Sequence, residues 1–121
     1  MSKKFSLLDR LLSCRHAARG LRTLVTEEHN ARLHVAAAIM AVTLGIVLKI
    51  SATEWLFICF AIGIVFIAES LNTALENLAD HVSPEENELV RKAKDLGALA
   101  VMTAAVMAVV TGGIVFLPKL W

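Results

Sequence analysis

Charge is scarce in this chain and nearly balanced: 19% of its 121 residues are Asp, Glu, Lys or Arg, and the formal net charge is +1. Soluble domains typically carry about 25% charged residues. No overall positive field of the kind that attracts nucleic acid is present, and nucleic acid is not an expected partner. The sequence also lacks G-x-x-x-x-G-K-[ST] and G-x-G-x-x-G, which excludes the familiar phosphate-cradling loops. There is no internal repeat and no low-complexity run. A cleavable signal is not expected, because Asp9 and Arg10 interrupt the leucines that follow Lys3 and Lys4. The two cysteines, Cys14 and Cys59, fall on opposite sides of a membrane in the reading below, so no intrachain disulfide is expected.

What the chain has in excess is apolar residues, 57% of the total, against about 45–50% in soluble domains. Gly97 to Leu117, GALAVMTAAVMAVVTGGIVFL, carries no charge and is long enough for a hydrocarbon core that needs about 20 residues. Residues 31–50 span if Arg32, His34 and Lys49 snorkel at the ends, and WLFICFAIGIVFI, from Trp55, opens another span. The predicted fold is an all-α membrane protein forming a single domain over residues 1–121. It has an N-terminal interfacial amphipathic helix at about 5–26 and three transmembrane helices at about 31–50, 55–80 and 88–117. A tight turn is expected at Ser51 to Glu54, a polar loop around Pro84, and a stop at Pro118. Ten basic residues lie before the first span or between the second and third, against Lys49 and Lys119 elsewhere. That bias places the N-terminus and the 80–96 loop in the cytoplasm and the C-terminus outside. Ala37, Ala41 and Gly45, and Ala100, Ala104, Ala108 and Gly112, let helices approach closely in lipid. Three spans bury little among themselves, so a homo-oligomer is expected.

The second span continues into AESLNTALENLAD, Ala68 to Asp80. At about 100° per residue, Glu69, Asn72, Glu76 and Asp80 share one narrow helix face. An ordinary amphipathic helix with its polar side in water explains the far end of this stripe but fails for Glu69. Counted from Trp55 at ~1.5 Å per residue, Glu69 lies ~21 Å in and Glu76 ~31 Å in, against a core of ~30 Å. An ionisable side chain at that depth is a functional candidate by default, and it is suited to general-base work. Glu76 and Asp80, at the boundary, are carboxylates able to hold a hard divalent cation. Glu27 and Glu28 form a second acidic pair at the start of the first span, where Glu28 and Arg32 also have i,i+4 ion-pair spacing. Lys94 and Asp95 open the last span on the same side. Phosphoryl transfer requires positioning and charge neutralisation more than covalent chemistry, and this collection of groups is sufficient for it.

E-S-L-N-T-A-L-E (69–76), followed by Asp80 and by A-K-D (93–95), resembles the signature of the small prokaryotic diacylglycerol kinase and undecaprenol kinase family, over nearly the whole chain. The resemblance implies a homotrimeric kinase of the bacterial inner (cytoplasmic) membrane. It would transfer the γ-phosphoryl group of Mg-ATP to the hydroxyl of a membrane lipid alcohol, with Mg2+ as the metal. It implies Glu69 as catalytic base with Asn72 beside it, both near the lipid with Ser70, and Glu28 and Glu76 as the carboxylates that hold metal with ATP. Lys94 and Asp95 would contact the nucleotide phosphates. Asp80, Glu85, Glu86 and Asn87 would lie near the nucleotide, and His16 would take the place of an aromatic residue against adenine. Asn30, Arg32 and His34 form N-x-R-x-H, which resembles the undecaprenol kinase branch, although the same residues could simply cap the first span at head-group level. A small proton-coupled transporter using Glu69 is the alternative reading, but it gives the acidic cluster and the Lys-Asp pair no task.

Overall fold

The computed structural model describes residues 4–85 and 87–120. Four α-helices and a terminal 3₁₀ turn follow one another: α1 (Leu7–Glu27), α2 (His29–Val47), α3 (Ala52–Val82), α4 (Glu88–Phe116) and the turn Leu117–Lys119. Among the described residues there is no strand. α2, α3 and α4, the last taken on through Lys119, are each long and apolar enough to cross a membrane. Their exposed positions include Leu33, Ile39, Ile46, Phe60, Ile67, Val109 and Ile114, as expected where the surrounding solvent is hydrocarbon.

The boundaries have local causes. Ser6 caps α1 by accepting from the Asp9 backbone N–H at 3.3 Å. α1 buries only Leu24, while Leu7, Leu8, Leu11 and Leu21 remain exposed along it. α1 and α2 are separated by one extended residue, Glu28 (φ −111°, ψ 119°). The span expected to run to residue 50 stops at Val47 because Lys49 adopts a left-handed conformation, φ 52°. There the Ile50 N–H turns back to the Gly45 carbonyl at 3.1 Å and that of Lys49 to Ile46 at 3.3 Å, a Schellman closure. Ser51 to Glu54, expected as a turn, are instead the first turn of α3: the Ser51 hydroxyl and the Glu54 carboxylate each bond the other's backbone N–H. This reciprocal cap starts the helix three residues earlier than the apolar run implied. With 31 residues at ~1.5 Å each, α3 overshoots a ~30 Å core, and the overshoot carries Glu76 and Asp80.

α3 and α4 form the most extensive helix pair. At the Ser51 end, Ile50, Ile58, Val115 and Phe116 form a core with Leu44, Leu48 and Trp55 against it, and Lys119 pairs with Glu54 at 3.1 Å. Small residues do not bring α2 and α4 into contact along their whole length. Ala37 and Ala41 instead face Ala108 and Gly112 across an apolar cleft of about 320 Å³, which His34 lines at its other end. The Ser51 end is therefore fixed by packing, which leaves the Asp80 end for polar chemistry.

Candidate functional site

Each member of the polar stripe on α3 meets a different neighbour. Glu69 is buried at 3% exposure, and its Oε2 lies 3.3 Å from His34 Nε2 of α2. That pair is within ion-pair range but is not aligned as a hydrogen bond, and Oε2 has no hydrogen-bond partner. The Asn72 amide donates to Glu76 Oε1 at 3.4 Å, while its own Oδ1 is buried and unbonded. Asp80 accepts from Lys94 of α4. One chain thus buries Glu69 by itself, without a second subunit to cover it.

Glu28 stands at the break between α1 and α2. As the cap residue of α2 it makes no side-chain capping bond, so its carboxylate is not committed to the helix end. The i,i+4 spacing to Arg32 does not produce an ion pair, because Glu28 lies outside the helix that contains Arg32. The guanidinium instead turns back to the end of α1, donating to the Val25 carbonyl at 2.8 Å and also to that of Thr26. Arg32 thereby fixes the elbow that presents Glu28.

Among the described residues no three His, Cys, Asp or Glu side chains gather into a ready-made metal cage. Magnesium does not require one, being commonly held by one or two carboxylates together with substrate phosphates and water. Glu28 and Glu76 are carboxylates, hard oxygen donors of the type that ion prefers, so the residues fit it.

Lys94 and Asp95 are adjacent in sequence yet about 100° apart on the helix. Lys94 faces Asp80, whereas exposed Asp95 is held by Arg91 at 2.9 Å, and Arg91 also pairs with Glu88 at 2.6 Å. Asn87 caps α4, accepting from the Val90 N–H at 3.0 Å and donating to Ser83 at 2.9 Å. Glu85 is exposed, and its carbonyl accepts from the Ser83 hydroxyl. Glu86 lies outside the described residues. His16 lines a separate groove of about 630 Å³ between α1 and α3, with Arg19, Ser70, Thr73 and Asn77. The Ser70 hydroxyl bonds back to the Phe66 carbonyl at 2.8 Å. Asn30 is exposed at the start of α2.

Sequence reasoning missed Gly97. A Cβ there would collide with Asn72 Oδ1 and come within 3.2 Å of Asn72 Cγ and Leu75 Cδ2, so glycine lets the α4 backbone close over the amide. The available signal was a glycine three residues after Lys94, in line with Ala93, Ala100 and Ala104. His34, the last residue of N-x-R-x-H, stands against Glu69, a place that no spacing within α2 reveals.

The family model for prokaryotic diacylglycerol kinase matches residues 15–116, a range that includes every site residue named from His16 to Asp95. Undecaprenol kinase of Bacillus subtilis (strain 168) is 38% identical over 105 residues, covering 87% of this chain and 85% of that protein. Diacylglycerol kinase of Synechocystis sp. is 35% identical over 111 residues, 91% of this chain but 63% of its own length, so the chain spans just under two thirds of that relative. Diacylglycerol kinase of Escherichia coli (strain K12) is 33% identical over 93 residues, 77% of this chain and 76% of that protein.

Proposed function

The chain belongs to the prokaryotic diacylglycerol kinase family, and from that premise we propose that it transfers the γ-phosphoryl group of Mg-ATP to the hydroxyl of a membrane lipid alcohol. The observation that carries the reading is a buried carboxylate, Glu69, on a helix whose next turns carry Glu76, to which Asn72 donates, and bring Asp80 to Lys94. Glu69 takes the proton of the acceptor hydroxyl as the oxygen bonds to the γ-phosphorus and the bond to the β–γ bridging oxygen breaks. Asn72 holds Glu76 in place, and Lys94, steadied by Asp80, neutralises phosphate charge. Glu28 and Glu76 would hold magnesium with the nucleotide, and the ion supplies further charge neutralisation.

The uncovered leucines of α1 support a helix lying in the interface, and the basic bias supports a cytoplasmic N-terminus and site. The single-domain reading over residues 1–121 stands on the sequence and the homotrimer on the family resemblance, while shielding of Glu69 needs no partner. The transporter alternative finds no support in family membership. For the acceptor we favour undecaprenol over diacylglycerol, on the likeness to an undecaprenol kinase.

Solubilised protein given Mg-ATP and both lipids is expected to phosphorylate undecaprenol preferentially. Preference for diacylglycerol would reverse the acceptor, and phosphorylation of neither would remove the kinase reading. Glu76→Gln is expected to raise the magnesium concentration needed for half-maximal rate, because it removes a hard anionic ligand. If neither this variant nor Glu28→Gln changes the magnesium requirement, the two carboxylates are structural.

A further inference from the structure

Glu69 is a base with an unfinished environment. Its Oε2 is buried without a hydrogen-bond partner, and it shares one helix face with the acidic Glu76 and Asp80. Among the described residues the one basic side chain in ion-pair range is His34, whose Nε2 stands 3.3 Å from Oε2. The imidazole is 23% exposed, and it also lines the inner end of the apolar cleft beside Ala37, Val65 and Phe66.

We infer that His34 is the positioning residue for Glu69: its Nε2–H holds Oε2, leaving Oε1 to receive the proton of the acceptor hydroxyl. The inference rests on Glu69 being the base. A glutamate has three side-chain torsions, so a carboxylate among like charges needs something to fix which oxygen faces the reacting group. A base oriented by a third group is the recurring solution in nucleophile activation. The imperfect alignment is compatible with this role, since catalytic hydrogen bonds are often loose before substrate binds. His34 therefore acts on the rate through Glu69 and not on acceptor affinity, in contrast to a role in head-group recognition.

The full-length enzyme carrying His34→Leu, His34→Gln or Glu69→Gln tests this, with kcat and KM measured for whichever lipid acceptor supports turnover and for Mg-ATP. His34→Leu is expected to lower kcat by about 10- to 100-fold, the scale of a misplaced reacting group, with both KM values within about twofold. His34→Gln, whose amide can still donate, is expected to recover most of that loss. Unchanged kcat in His34→Leu overturns the inference, and so does a raised acceptor KM at constant kcat, which would put His34 on the head group. Equal loss in the Leu and Gln variants, with matching loss of thermal stability, overturns it in favour of a packing role. A Glu69→Gln enzyme within threefold of wild type defeats the base reading itself; a Glu69→Gln enzyme slowed at least about a hundredfold beside a normal His34→Leu defeats only the role of His34.

Discussion

Glu69→Gln is expected to lose about 10²–10⁴-fold in kcat, the usual contribution of a general base, while nucleotide binding persists. Glutamine keeps the volume and an acceptor oxygen, but it cannot take a proton at neutral pH. The site around it should survive: Asn72 and Glu76 bond to each other, Asp80 to Lys94, and none of these contacts passes through Glu69. Steady-state turnover and nucleotide titration on the same preparation separate the two effects. A variant within threefold of wild type would rule out the base.

The second large effect is expected from a residue that carries no chemistry. Gly97→Ala places a methyl against Asn72 Oδ1, with Asn72 Cγ and Leu75 Cδ2 both within 3.2 Å. The amide must swing away or α4 must retreat, and either movement loosens Asn72 from Glu76. Displacements near 1 Å in a reacting constellation cost about 10²-fold, whereas overpacking typically costs ~1–3 kcal/mol of stability. The expected result is a folded protein with kcat down about a hundredfold. Gly63→Ala is the control, since a Cβ at Gly63 meets nothing within 4 Å, and it should leave activity near wild type. If Gly97→Ala retains full activity, the fit of α4 over Asn72 is not part of catalysis.

Much of this site is legible in one helix. The spacing of Glu69, Asn72, Glu76 and Asp80 places them on one face by helical period alone, and the depth of Glu69 follows from counting residues against the bilayer. Some local signals were legible but ambiguous. Ser51-Ala52-Thr53-Glu54 is a capping box, yet it has the same composition as a turn. The end of α2 had no such mark, because a lysine takes the left-handed position that glycine usually fills. The Glu28–Arg32 spacing misled because the i,i+4 rule holds only inside one helix, and the chain breaks at Glu28.

The sequence by itself determined the stripe, the three apolar helices and the family, because each is written in residue type and period along a single segment. The tertiary structure decided the partners: His34 against Glu69, Gly97 over Asn72, Lys94 toward Asp80 with Asp95 turned away to Arg91, and Arg32 on the end of α1. Such pairings depend on the rotation and offset of one helix against another. Those are set by the packing at the Ser51 end and the close fit of α3 on α4, and no periodicity within one helix encodes them.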